Sequence, residues 1–240
     1  MTLSKRRVHA IVRKETREYR RNTNVIVTMA IFPLIFLIQP LVLVLILPQE
    51  TALSLSNRHL LLYMLAIPAL VPATLSAYAV VGERQQDTLE PVLTTPISGE
   101  ELLLGKALAC LLPTMVVSYT VYAFFLTGVW LFARPTVASG LLRGPDLITQ
   151  LLLTPLLATW SIWAGLWIST RSSDVRVAQQ FSLLASLPSV AVTSLIAFDV
   201  IPLTPQVAVS LTVTLLLLDA TGWRLTSTAF DRERLLAGQR

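Results

Sequence analysis

Cysteine is nearly absent: Cys110 stands alone among 240 residues, so no disulfide framework exists. Histidine is almost as scarce. His9 and His59 cannot assemble a zinc set or a Cys-His nucleophile with one cysteine lying inside an apolar run. A phosphate-binding loop is missing too. The nearest approach, Gly99 through Gly105-Lys106, has five intervening residues where the motif needs four. It places Ala107 where the magnesium-binding hydroxyl belongs, and it leads into an apolar stretch instead of following a strand. The chain has no nucleotide site of that kind, no catalytic set and no metal set. Charge is the scarcest property of all: charged residues are 14% of the chain and hydrophobic ones 54%, against about a quarter and 45–50% in a soluble domain.

What charge there is sits in a few short segments. Between them lie six runs free of Asp, Glu, Lys and Arg: Val25–Leu47, Leu60–Val81, Ala107–Phe132, Leu147–Ser169, Val177–Phe198 and Val200–Leu218. Each approaches or exceeds the roughly 20 helical residues that cross a bilayer core. The runs are continuously apolar, without the in-out alternation of a lipid-facing strand, which predicts helices and not a barrel. The fold class is therefore an all-α integral membrane protein, with residues 1–240 forming a single transmembrane domain. Residues 1–24 are a basic cytoplasmic segment, 25–81 spans 1 and 2, 82–106 a cytoplasmic loop, 107–218 spans 3–6, and 219–240 a cytoplasmic tail.

Six spans put both termini in one compartment. On that side fall 16 of the 19 Lys and Arg residues, leaving Arg58, Arg134 and Arg143 opposite. The bias predicts cytoplasmic termini and a multi-pass protein of the plasma (inner) membrane. It also accounts for the net charge of +5 without nucleic acid. Residues Ser4–Arg21 place Val8, Ile11, Val12, Glu15 and Tyr19 near one helical face, with Glu15 interrupting the apolar stripe. This is the pattern of a helix lying in the interface with its basic side chains on anionic headgroups. The first span reads as a retained helix, since no small-residue cleavage site precedes it. Span 4 carries Ser161, Gly165 and Ser169 at spacings of four, a ridge for close helix packing. Its Trp160, Trp163 and Trp167 share a face that suits packing or lipid contact. Asp219, placed near the cytoplasmic end of span 6, is expected to pair with Arg224.

The loop after span 2 is the most informative segment. Glu83, Arg84 and Asp87 crowd the membrane exit, and a short helix here would set Leu89, Val92 and Leu93 against Glu83, Asp87 and Glu90. Pro96 and Ser98 then break the chain, and Ser98 is suited to cap the next helix above Glu100 and Glu101. The stretch Gly82-Glu83-Arg84, Thr88-Leu89-Glu90, Leu93, Thr95-Pro96, Ser98, Glu101-Leu102 and Gly105-Lys106 resembles that of ABC-2 type transporter permeases. The family usually has glycine just before Thr-Leu-Glu, where this chain has Asp87. The ending Phe230-Asp231-Arg232-Glu233-Arg234-Leu235-Leu236 also resembles theirs.

The resemblance implies a permease half, in a homodimer or other pair, working with separate ATP-binding subunits that carry ATP and magnesium. It makes the loop a coupling helix seated on the ATPase, and it assigns that role to Glu83, Arg84, Asp87, Thr88, Leu89 and Glu90. It implies a chain that is not itself catalytic, with export as the expected direction. Two other classes compete: an ion-driven secondary transporter, which needs charged groups near the bilayer midplane, and a membrane-embedded enzyme or assembly factor, which needs clustered catalytic groups.

Overall fold

The computed structural model describes residues 4–46, 59–88 and 97–230. Without water to satisfy them, backbone groups in apolar runs must bond within their own segment. Helices follow: α1 (Lys5–Arg21), α2 (Thr23–Ile46), a 3-10 turn (Leu60–Leu65) running into α3 (Ala66–Gln85), α4 (Gly99–Phe132), the short α5 (Pro135–Leu141), α6 (Gly144–Arg171), α7 (Val175–Ala197) and α8 (Pro205–Ala229). No strand occurs among the described residues. Six of these segments are long and apolar enough to cross a membrane, one for each run in the sequence.

Helix α4 starts at Gly99, eight residues before the charge-free run and where the expected Ser98 cap puts it, because Ser98 and Glu101 form a complete capping box. The Ser98 hydroxyl accepts from the Glu101 amide at 3.2 Å, and the Glu101 carboxylate accepts from the Ser98 amide at 3.0 Å. Helix α8 starts late and ends late. Pro205 occupies its first turn, Thr204 caps it by accepting from the Val207 amide at 3.3 Å, and it continues to Ala229. Asp219 is thus well inside α8 and not at its end. Its partner is Thr159 of α6, whose hydroxyl donates to it at 2.8 Å, and the expected pairing with Arg224 is not made.

Helix α3 is the axis of the bundle. Its most apolar stretch is 94% buried, against 11% for α8 at the periphery. Lipid tails offer no hydrophobic drive for helices to associate, so close packing depends on small side chains and interhelical hydrogen bonds. Buried Ala66, Ala69, Ala73, Ser76, Ala77 and Ala79 supply the first on α3. The Ser161–Gly165–Ser169 ridge of α6 supplies the second. Ser161 accepts from Ser186 of α7 at 3.2 Å, and Gly165 lies directly against Ser76. The Ser169 hydroxyl donates to the Ala77 carbonyl at 2.6 Å while accepting from the Val80 and Val81 amides at 3.1 Å each. The ridge is consumed inside the chain.

A methyl group on Gly165 would stand 1.9 Å from the Ser76 hydroxyl oxygen. Gly165→Ala should therefore destabilise the bundle by about 1–3 kcal/mol, the usual cost of overpacking. Adding Ser76→Ala should recover part of the loss in detergent unfolding curves, and a null effect of the single change would contradict this packing.

Candidate functional site

Charges that leave an apolar bundle gather where its helices end, and here three elements bring theirs together: α1, the last turn of α3 and the first turns of α4. Lys106 is wholly buried on α4. Three oxygens surround its ammonium: Glu15 of α1 at 2.8 Å, Glu83 of α3 at 2.8 Å and the Ala79 carbonyl at 2.7 Å. Lys14 closes the group from the outside, against Glu83, Glu15 at 3.4 Å and Glu18 at 3.2 Å. Glu15 and Glu83 are 2% and 4% exposed, so their charges are answered almost entirely from within the chain. Glu15, Glu18 and Glu83 approach within 4.8 Å of one another, a spacing a metal ion accepts, but two ammonium groups already stand among them.

Burial pushes the Glu15 carboxyl above its ordinary range, against the pull of Lys106, with the neighbouring Glu83 adding to the rise. Burial works against the charge of Lys14 as well, but Glu15 and Glu83 more than offset it and its ammonium is held above the ordinary value. Deeper on α1, the buried Tyr19 hydroxyl lies 3.4 Å from the Cys110 sulfur, and burial drives its pKa up.

A second tie fixes the start of α1. The Glu101 carboxylate that completes the capping box also accepts from the Ser4 amide at 2.9 Å and from Arg7 at 3.3 Å. Between the two ties Gly105 meets Ile11: a side chain there would sit 2.6 Å from the isoleucine. Glycine is what lets α1 lie flat on α4.

The last turn of α3 is held from its other side by α6. Arg84 donates to the Ser172 carbonyl at 2.9 Å and to the Thr170 carbonyl at 3.2 Å, filling the carbonyls that the end of α6 leaves open. The chain then turns. Thr88 donates its amide to the Glu83 carbonyl at 2.9 Å and Asp87 to that of Arg84 at 3.2 Å, the paired bonds of a helix end that closes through a left-handed residue. That residue is Asp87, at φ 54°. Glycine adopts this conformation without strain, and aspartate tolerates it better than most. Asp87 therefore preserves the turn at the position where the resembled family carries glycine.

Of the residues singled out in the sequence, Glu83 and Arg84 face inward and link helices, Asp87 and Thr88 are exposed, and Leu89 and Glu90 lie outside the described residues, as does the short helix expected there. The sequence reading missed Lys106, Glu15, Glu101 and Arg7 as members of one assembly. The signals were an acid inside the apolar stripe of α1 and a lysine at the mouth of a span.

A family model described as ABC-2 family transporter protein matches residues 9–226. The chain belongs to this family. Comparison with curated proteins finds no match. Membership, with six apolar helices, makes the chain a multi-pass membrane protein and a permease of an ABC transporter. The match includes α1 from His9 onward and all the helices that meet at Lys106.

Lys106→Met in this ABC-2 permease leaves two buried carboxylates facing each other without their buried cation, with only the partly exposed Lys14 between them. The expected loss is about 3–5 kcal/mol in unfolding measurements, because removing one partner strands a buried charge. The double variant Lys106→Met, Glu15→Met removes one of the stranded carboxylates and should be clearly more stable than Lys106→Met alone.

Proposed function

We propose that this ABC-2 family protein is the pathway-forming half of an ATP-driven exporter. It works as a homodimer with separate ATP-binding subunits, which supply ATP, magnesium and all hydrolysis. In this reading it sits in the plasma membrane with both termini, α1 and the loop between α3 and α4 in the cytoplasm. The observation that carries the proposal is how the two ends of that loop are built in. The end of α3 is tied to α1 and α4 through Glu83 and to α6 through Arg84, while the start of α4 is tied to α1 through Glu101. A displacement of the loop by a partner would reach four helices at once.

The coupling residues proposed from the sequence then divide by task. Asp87, Thr88, Leu89 and Glu90 form the part offered to the ATPase. Glu83 and Arg84 transmit the movement into the bundle. An ion-driven carrier is the rival reading, and Asp219 inside α8 is the feature that favours it. ATP dependence separates the two.

Tagged protein extracted from its native membrane in mild detergent should bring down an ATPase with a phosphate-binding loop. Recovery should fall at least about tenfold when Asp87→Lys, Leu89→Ala and Glu90→Lys are combined, the range expected for a few central contacts of an interface. Asp87→Gly should keep the partner, since it retains the left-handed turn, and Asp87→Val should weaken binding because it strains that turn. Absence of any ATPase after crosslinking at the loop would count against the proposal.

A further inference from the structure

Helix α1 uses its basic residues in two ways. Arg7 and Lys14 reach acids of the bundle and are paired with them. Arg13, Arg17, Arg20 and Arg21 are exposed, and no acid among the described residues forms an ion pair with them. Their spacing brings these arginines to one side of the helix. There they line a cleft of about 530 Å³, together with His9 and Thr16.

Thr16 and Arg20 also line a second groove, of about 460 Å³, whose walls are otherwise apolar. It runs between α2 and α4, along residues 26–34 of the first and 113–121 of the second, and Tyr19 of α1 completes its lining. Both stretches belong to membrane-spanning helices. At 1.5 Å per residue the groove is about 12 Å long, and one leaflet of a bilayer core is about 15 Å deep. It therefore has room for most of one acyl chain. The basic cleft and the apolar groove form one continuous surface, joined at Thr16 and Arg20. An acidic protein partner would answer the arginines and leave the groove empty. A neutral lipid would fill the groove and leave the arginines unanswered. A lipid with a negative headgroup satisfies both halves, because guanidinium groups match phosphate oxygens and the chain enters the apolar part.

We propose that α1, α2 and α4 form a binding site for one anionic phospholipid, with its phosphate on Arg17 and Arg20 and an acyl chain in the groove between α2 and α4. This is more than the attraction of a basic helix to a charged surface, because one lipid chain is ordered between two spans. Pro33 and Pro113 both line the groove, so the chain touches α2 and α4 where their hydrogen-bond ladders are interrupted. Binding requires neither nucleotide nor ATPase; that the lipid comes from the cytoplasmic leaflet rests on the orientation proposed above.

The test uses the full chain in phosphatidylcholine nanodiscs, without ATP. The probe is phosphatidylglycerol with a photoreactive diazirine in one acyl chain, and the control is phosphatidylcholine with the same chain. Labelled peptides are identified by mass spectrometry. The anionic probe should label 26–34 and 113–121 at least about fivefold more than the control, as two arginines near an anionic headgroup permit. Unlabelled phosphatidylglycerol should compete. Arg17→Gln with Arg20→Gln should reduce labelling to the control's level. Lys5→Gln with Arg6→Gln removes the same charge from α1 away from the groove and should leave labelling intact. Ala30→Phe, which fills the groove, should lower labelling of both segments. Equal labelling by the two lipids in the unaltered chain would overturn the proposal, and that comparison needs no variant. So would equal losses in the two double variants, which leave only general surface attraction, or crosslinks from these segments to a second copy in place of lipid. If Arg17→Gln with Arg20→Gln released the ATPase in the pull-down yet kept the lipid labelling, the arginines would belong to a protein partner and the proposal would fail. Absence of an ATPase from the pull-down leaves the lipid measurement untouched.

Discussion

A fully buried ammonium group sets the terms for one end of this protein. Lys106 sits at the mouth of a span, where water does not reach it, and an ion in that position is tolerated only if oxygens come to it. They come from two helices: a carboxylate of α1, and a carboxylate and a backbone carbonyl of α3. The requirement explains why α1, a helix of strongly basic sequence, carries Glu15 in the middle of its apolar face. It also explains why α1 lies against the bundle instead of trailing from it. With Glu101 collecting the first residues of the same helix, α1 becomes a strap across the base of α3 and α4.

The remainder of the bundle obeys a different rule. Around α3 there is little charge to satisfy and no water to expel, so approach distance decides stability. Alanines on α3 and glycines at 165 and 222 bring backbones close enough for hydroxyl groups to reach across. Ser169 shows the consequence, since one hydroxyl joins a carbonyl and two amides of the neighbouring helix. Stability here comes from contact geometry, at the α1 end from charge neutralisation, and α3 belongs to both.

Much of this was legible in the sequence because lipid imposes a crude and unmistakable code. Charge-free runs gave six spans, and the serine three residues before a glutamate gave the start of α4. The ridge at 161, 165 and 169 stood out as a place for a helix to approach, but nothing in it named α3 and α7 as the helices it meets. Other features were not legible, because their meaning depends on a partner far along the chain. Glu15 breaks a helical stripe when α1 is considered alone, and only Lys106, 91 residues later, turns the break into a contact. The end of α8 was misplaced because Asp219 looked like a boundary; it lies inside the helix, where Thr159 of another helix donates to it. Asp87 departs from the glycine usual in the resembled family, yet it takes the positive φ that favours glycine.

The ion network also constrains where this ABC-2 permease can bend. Separating buried partners strands charges at a cost of several kcal/mol. The ends of α3 and α4 together with α1 are therefore costly to pull apart. Flexure has to occur beyond them, where the helices lack intact hydrogen-bond ladders. Pro72 lies about three turns from Glu83 along α3, Pro113 about two turns from Lys106 along α4, and Pro33 inside α2. Each removes an amide from its helix and so lowers the cost of bending there. The α1 end is thus the stiffer part of this region, and the prolines past it are where bending costs less. Tyr19 and Cys110, in contact within one turn of Pro113, mark where the first gives way to the second.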